Sequence, residues 1–408
     1  MRKIPKKMTT ALERVVIVGA SLAGLRAAEA LRRSGYEGSL VLVGEEHRLP
    51  YDRPPLSKEV LQGKKAADAT RFRSQEHFDD LGIELQLGRR CYGLDLHARR
   101  IQTGDGYLDF DGCIIATGTS PRRFREAEAL EGVHVLRTAD DALAISDALA
   151  RDPKVVVVGA GFIGAEVAAS IRSRGLDVTV VEALAGPLLR AVGEEMARVC
   201  GQLHADHGTR LLCGVEVERL EGSGHVERVI LSDGSWVDAD LVIVGIGVSP
   251  NVGWLVDSGL PIGDGVECDA TLRAGHPNIF ACGDVASWPN PLLGATMRCE
   301  HWTNATEQGI HAARNLLARP GHAQPYNGSN YFWSDQYGIR IQSIGRTTQG
   351  AVEVVAGSLA DREFLACFRE GDRLAGAIGM NSQRLLTQAR LLFERNTPWE
   401  LAVSKLRS

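Results

Sequence analysis

Three short runs of Val, Ile and Leu punctuate the first 160 residues, each closed by a glycine: Val15 to Gly19, Cys113 to Gly118 and Val155 to Gly159. They are apolar without alternation, which predicts strands covered on both faces, as in the middle of a parallel sheet. After the first run, Ala23, Leu25, Ala27, Ala28, Ala30 and Leu31 predict a small-residue helix; after the third, Ile163, Val167, Ala168 and Ile171 do the same. A second apolar run follows each helix, Leu40 to Val43 and Val178 to Val181. The chain thus carries two βαβ units about 140 residues apart, the building block of a doubly wound sheet. Leu241 to Gly247 and Asn278 to Asp284 are two further extended segments that run into glycine.

Past about Gly321 the texture changes, with Tyr326, Tyr331, Phe332, Trp333 and Tyr337 crowding a chain until then poor in aromatics. Ala351 to Val355 and Glu363 to Phe368 alternate as strands do, and Ser382 to Arg395 predicts a helix. The expected class is α/β, with two Rossmann-like dinucleotide-binding domains and a C-terminal α+β domain starting near residue 325. No apolar run approaches the ~20 residues that span a bilayer. Met1 to Thr10 carries Arg2, Lys3, Lys6 and Lys7 but no apolar h-region, so it reads as a loose tail rather than a secretory signal, with Met8 an alternative start.

Length and charge narrow the class further. The 408 residues suit two or three domains, and 46 Lys and Arg against 51 Asp and Glu lack the basic excess of a dedicated nucleic-acid binder. Glycine stands out, at 45 of 408 or about 11%, against an average near 7%. The eight cysteines (91, 113, 200, 213, 268, 282, 299 and 367) contain no CxxC pair and no zinc-like pattern with histidine, so no metal site is expected. Unpaired thiols fit a reducing cytoplasm.

The second unit holds a complete GxGxxG in Gly159, Gly161 and Gly164, between a strand and a helix. The first glycine permits the turn, the second lets backbone approach a pyrophosphate, and the third lets helix and strand pack closely. Glu182, 23 residues past Gly159, stands where a carboxylate binds ribose hydroxyls, and no arginine follows immediately to hold a 2′-phosphate, which favours NADH over NADPH. The first unit has Gly19, Ser21 and Gly24, with serine at the middle position, and Glu45 as the ribose carboxylate. Serine there permits the approach if its φ is negative. Two such turns in one chain imply two dinucleotides.

These residues, together with Pro50-Tyr51-Asp52-Arg53-Pro54-Pro55-Leu56-Ser57-Lys58, Ala116-Thr117-Gly118 and Asn278 to Asp284, resemble the FAD-dependent NADH:ferredoxin reductases of oxygenase systems. That family includes the putidaredoxin, rubredoxin and biphenyl-dioxygenase types and shares the glutathione-reductase-like fold. The resemblance implies an FAD domain in two pieces, residues 1–118 and 246–324, an NAD domain over 119–245, and a C-terminal interface domain over 325–408. It implies that Gly19, Ser21, Gly24, Glu45, Arg53, Thr117, Gly118, Arg122 (or Arg123) and Asp284 hold FAD. Gly159, Gly161, Gly164, Glu182 and Gly247 would hold NAD. Lys58 corresponds to the family lysine near flavin N5 and Glu166 to the carboxylate that pairs with it; Trp302 and Trp333 correspond to tryptophans beside the isoalloxazine and toward the partner face. His301 matches no family element and is assigned no role.

Related flavoproteins pass electrons to cysteines on the helix that here would contain Pro54 to Val60, yet no cysteine precedes Cys91. The remaining chemistry is hydride transfer from NADH to FAD and single-electron transfer onward, since a flavin can release electrons one at a time and a nicotinamide cannot. The implied partner is a small two-iron two-sulfur ferredoxin feeding an oxygenase, with no nucleic acid and no membrane, the reductase being a monomer or homodimer. Such ferredoxins are typically acidic, and Arg340, Arg346 and Arg384 are candidates for a basic face. A rubredoxin reductase, differing in its acceptor, and an apoptosis-inducing-factor-like flavoprotein with an interaction role are the alternative readings.

Overall fold

The computed structural model describes residues 12–124, 126 and 129–407, so the expected N-terminal tail lies outside the described residues. The chain divides into two compact units. One contains the described residues up to Tyr51 with Arg71–Thr119 and Pro250–Gly328; the other contains Asp52–Thr70, Ser120–Ser249 and the chain from Ser329 onward.

In the first unit five strands make a wholly parallel sheet in the order Ile279–Ala281, Gly112–Ile115, Arg14–Val18, Ser39–Val43, Ile83–Gln86. The unalternating apolar runs have the cause expected for them. Val15, Ile17, Leu40 and Leu42 face the helices Leu22–Arg33 and Trp302–Leu316. Val16, Val18, Val41 and Val43 face an antiparallel meander through Leu94, Ile101 and Leu108. Successive side chains point to opposite sides, so a strand covered on both must be apolar throughout.

The second unit repeats the plan. Its parallel sheet runs Arg210–Cys213, Val178–Glu182, Val155–Val158, Leu241–Val244, Val133–Val135, with a second meander over the face formed by Val156, Val158, Val242 and Val244. The same unit holds a five-stranded antiparallel sheet in the order Phe332–Gln336, Ile339–Gly345, Arg373–Met380, Glu363–Glu370, Ala351–Ser358. The helices Gln383–Glu394 and Trp399–Arg407 complete it. The helix Leu189–Asp206 lays Val192, Met196, Cys200 and Leu203 against Phe332, Ile341, Phe364 and Ile378 of that sheet and forms one core with it.

One local expectation is corrected. Pro54 to Val60 is not an α-helix: Pro54–Ser57 is a single 3₁₀ turn, followed by hydrogen-bonded turns such as Val60 N–H to the Pro55 carbonyl at 3.0 Å. Pro54 and Pro55 stand in the first turn, where their missing N–H groups cost no helical bond, and the turn stops at Lys58, whose φ −120° and ψ −105° leave the helical region. The segment is nevertheless packed, with Leu56, Ser57 and Leu61 buried.

Candidate functional site: two glycine turns and a buried ion pair

Both glycine turns have the same construction. Gly19 has φ +115° and Gly159 φ +97°, a region L side chains rarely enter. A Cβ on Gly19 would lie 2.1 Å from the Ala116 carbonyl oxygen, and one on Gly159 would lie 2.4 Å from that of Gly245. At the third position a Cβ on Gly24 would meet the Gly19 oxygen at 1.9 Å, and one on Gly164 the Gly159 oxygen at the same 1.9 Å. The middle positions differ. Gly161 caps the helix Phe162–Ser173 with φ −71°, and nothing lies within 4 Å of an added Cβ. Ser21 caps the helix Leu22–Arg33 with φ −100°, the negative value that lets serine stand in for glycine. Each turn therefore ends in a helix N-terminus whose backbone donors suit a phosphate, and the donor sets fit dinucleotides.

Glu182 and Glu45, the carboxylates expected to bind ribose, are placed differently. Glu182 accepts the Ala160 N–H at 2.7 Å on one oxygen and the Leu184 N–H at 2.8 Å on the other, which holds it beside the second turn. Glu45 is exposed and paired with Arg90 at 3.2 Å. Gly247 has φ +97° and open space around it. In the first unit Thr117 and Asn251 exchange two hydrogen bonds of 2.9 Å, Gly118 has φ +64°, and Thr119 Oγ1 donates to Asp284 Oδ2 at 3.2 Å. Arg53 and Arg122 belong to the second unit, where Arg53 donates to the Arg137 carbonyl at 2.5 Å and Arg122 to the Val248 carbonyl at 3.2 Å.

The helix behind the second turn carries Glu166, Ser170 and Arg174 at four-residue spacing, one stripe of a helix surface. That stripe holds the segment Asp52–Thr70. Ser170 Oγ donates to the Ser57 carbonyl at 2.7 Å and Arg174 to the Leu61 carbonyl at 2.9 Å. Lys58 Nζ lies 2.7 Å from Glu166 Oε2, with the two side chains 12% and 5% exposed. The ammonium also donates to the Pro54 carbonyl at 3.1 Å. The expected pair is thus assembled from residues 108 positions apart.

Two members of this cluster escape sequence reading. Ser57 donates to Glu166 Oε2 at 2.6 Å, and Ser334 donates to Glu166 Oε1 at 2.8 Å with the Asp335 N–H behind it at 3.3 Å. A signal existed for Ser334: in Phe332–Gln336 it shares the inward face with Phe332 and Gln336, a polar residue where alternation calls for an apolar one. Trp333 points to the other side, tilted against Tyr331 at 6.2 Å between ring centres. Trp302 opens the helix Trp302–Leu316 in the first unit, capped by His301. Burial drives the His301 imidazole down to about 4, against the opposing pull of the Asp284 charge. Two of the three arginines considered for a basic face are neutralised: Arg340 makes a two-point pair with Asp335 at 2.7 and 2.9 Å, and Arg346 pairs with Glu370 at 3.2 Å.

Residues 13–309 match the family model of the pyridine nucleotide-disulphide oxidoreductases, and residues 331–404 match that of the reductase C-terminal domain. Rhodocoxin reductase of Rhodococcus erythropolis is 37% identical, over 94% of this chain and 90% of that protein. The ferredoxin–NAD(+) reductase component of the Pseudomonas putida p-cumate 2,3-dioxygenase system is 36% identical, over 93% and 92%. Among solved structures, the covalent putidaredoxin reductase–putidaredoxin complex matches with a TM-score of 0.90 and 30% identity, covering 97% of this chain and 98% of that one. A ferredoxin reductase from Rhodopseudomonas palustris matches with a TM-score of 0.91 and 34% identity, covering 97% and 100%.

Proposed function

The chain belongs to the pyridine nucleotide-disulphide oxidoreductase family and, within it, to the ferredoxin reductases with a reductase C-terminal domain, and from that premise we propose how its residues divide the work. It is an NADH-dependent flavoprotein reductase that passes electrons through FAD, one at a time, to a small two-iron two-sulfur ferredoxin serving an oxygenase. The observation that carries the assignment of roles is the buried Lys58–Glu166 pair on the helix that opens at the second glycine turn.

Gly19, Ser21, Gly24, Glu45, Arg53, Thr117, Gly118, Arg122 and Asp284 are assigned to FAD, and Gly159, Gly161, Gly164, Glu182 and Gly247 to NADH. Residues 1–118 and 246–324 then form the FAD domain, 119–245 the NAD domain and 325–408 the interface domain. Bound FAD supplies the conversion of a two-electron donor into single-electron transfers. Lys58 presents a fixed positive charge, which favours electron-rich reduced flavin, and Glu166 keeps that charge in place. Trp302 and Trp333 contribute broad apolar walls that exclude water. Glu182, already held by two backbone donors, is oriented for ribose hydroxyls, and the short side chains that follow it leave a 2′-phosphate without a partner. The cytoplasm is the proposed location; among the described residues no helix is long and apolar enough to cross a membrane.

The purified protein is expected to be yellow and to bleach on addition of NADH, faster than with NADPH. NADH-driven cytochrome c reduction should depend on an added two-iron two-sulfur ferredoxin; equal support by rubredoxin would move the assignment to that acceptor. Lys58→Ala should slow flavin reduction by about tenfold or more, on the scale of removing one preorganised charge-stabilising group. An unchanged rapid-mixing rate would remove the role assigned to Lys58.

A further inference from the structure

We propose that Ser334 is a positioning residue for the Lys58 ammonium, acting through Glu166. The inference rests on the reading of Lys58 and Glu166 as the working pair. Glu166 is 4% exposed and receives four donors, divided by oxygen: Lys58 and Ser57 on Oε2, Ser334 and the Asp335 N–H on Oε1. The terminal torsion of a glutamate is broad and nearly two-fold, so its own conformational preference does not decide where each oxygen points. The donors on Oε1 decide it.

Ser334 is the stronger of those two, at 2.8 Å against 3.3 Å for the Asp335 N–H. Its orientation is set in turn. Gln336 Nε2 donates to Ser334 Oγ at 3.1 Å, which occupies the hydroxyl as an acceptor and leaves its single proton for Glu166. Ser334 and Gln336 are both fully buried, where an apolar side chain would avoid the cost of desolvating a polar one. Gln336 donates to Ser334 and Ser334 to Glu166 Oε1, while Lys58 donates to Oε2 from the other side, so the directed chain ends on the carboxylate that holds the ammonium. It begins three residues from Trp333 on the same strand, so one strand of the antiparallel sheet carries both an aromatic wall and the anchor for the charge.

The test compares Ser334→Ala and Ser334→Thr in the FAD-loaded protein. Ser334→Ala should slow flavin reduction by NADH about fivefold, short of the hundredfold that an ångström of misplacement can cost. FAD content and the KM for NADH should stay at wild-type values, and Ser334→Thr, which keeps a hydroxyl, should recover the rate. The readout independent of turnover is acetylation of Lys58 by acetic anhydride, followed by mass spectrometry of its peptide: a loosened ammonium should react faster in Ser334→Ala and at the wild-type rate in Ser334→Thr. In a Lys58→Ala background, Ser334→Ala should add no further slowing. An additive slowing there, or wild-type rate and wild-type acetylation in Ser334→Ala, overturns the proposal. If Lys58→Ala itself leaves flavin reduction unchanged, the pair's role fails first, whatever Ser334 does. Should Ser334→Ala lose FAD, Ser334→Cys, similar in size and a weak donor, replaces it under the same criteria.

Discussion

Gly161 and Gly164 belong to one motif but have separable duties. Gly161 has an ordinary φ and empty space where a side chain would begin, so Gly161→Ala should fold normally. Its effect should fall on the ligand, with the KM for NADH raised about tenfold or more by a methyl group in the path of the pyrophosphate. Gly164→Ala places a Cβ 1.9 Å from a backbone oxygen that cannot move without the turn, so it should destabilise by about 3 kcal/mol or more. Thermal unfolding beside NADH kinetics separates the two. For the ion pair the sign is also set: Glu166→Ala leaves a nearly buried ammonium without its anion and should cost about 3–5 kcal/mol in urea unfolding. The glycines were legible because the motif is contiguous, and Glu166 only through the resemblance to the ferredoxin reductases. Ser334 carried only its polarity at an inward position of a strand, and nothing local identifies a carboxylate 168 positions away as its partner.

The hairpin joining Phe332–Gln336 to Ile339–Gly345 turns at Tyr337, which has φ +54° followed by Gly338 at +78°. The tyrosine tolerates this backbone because its ring and hydroxyl are engaged. Its oxygen lies 2.7 Å from both His204 Nδ1 and Thr209 Oγ1, and His207 stacks on its ring at 4.4 Å. Burial pushes the hydroxyl up to about 12 and the His204 imidazole down to about 4. His204 is thus neutral in the fold, while in the unfolded chain it takes a proton below about pH 6.5. The unfolded state binds more protons between about pH 6.5 and 4, so stability should fall as pH falls through that window, by up to about 1.4 kcal/mol per unit, and should be flat above it. Urea unfolding across that range, with His204→Gln removing this component of the slope, is the check. Alternation marked Ala351 to Val355 and Glu363 to Phe368 in this sheet, but neither strand of this hairpin. It did not reveal that the helix Leu189–Asp206 and Thr209 clasp the hairpin, nor that the segment before Lys58 is a single 3₁₀ turn.

At the scale of the whole chain, none of the eight cysteines is in a disulfide, five of them are buried, and Cys213 is the exposed one. Titration of the native protein with a thiol reagent should therefore give one fast group per chain, and prior reduction by NADH should add none; two new thiols after NADH would mean that a dithiol carries the electrons. The near-neutral charge balance and the pairing of Arg340 and Arg346 also change what a partner meets, since neither presents an uncompensated positive charge to an acidic protein. From the sequence alone came the two βαβ units, the two glycine turns with Glu45 and Glu182 beyond them, and the lack of a CxxC pair. Those properties live in spacing along the chain, and backbone sterics make a glycine turn recognisable from its neighbours alone. Only the tertiary structure decided that Lys58, Glu166 and Ser334 meet. Their contacts join residues 108 and 168 positions apart, and such meetings depend on how covered strands and helix stripes pack, for which no local pattern codes.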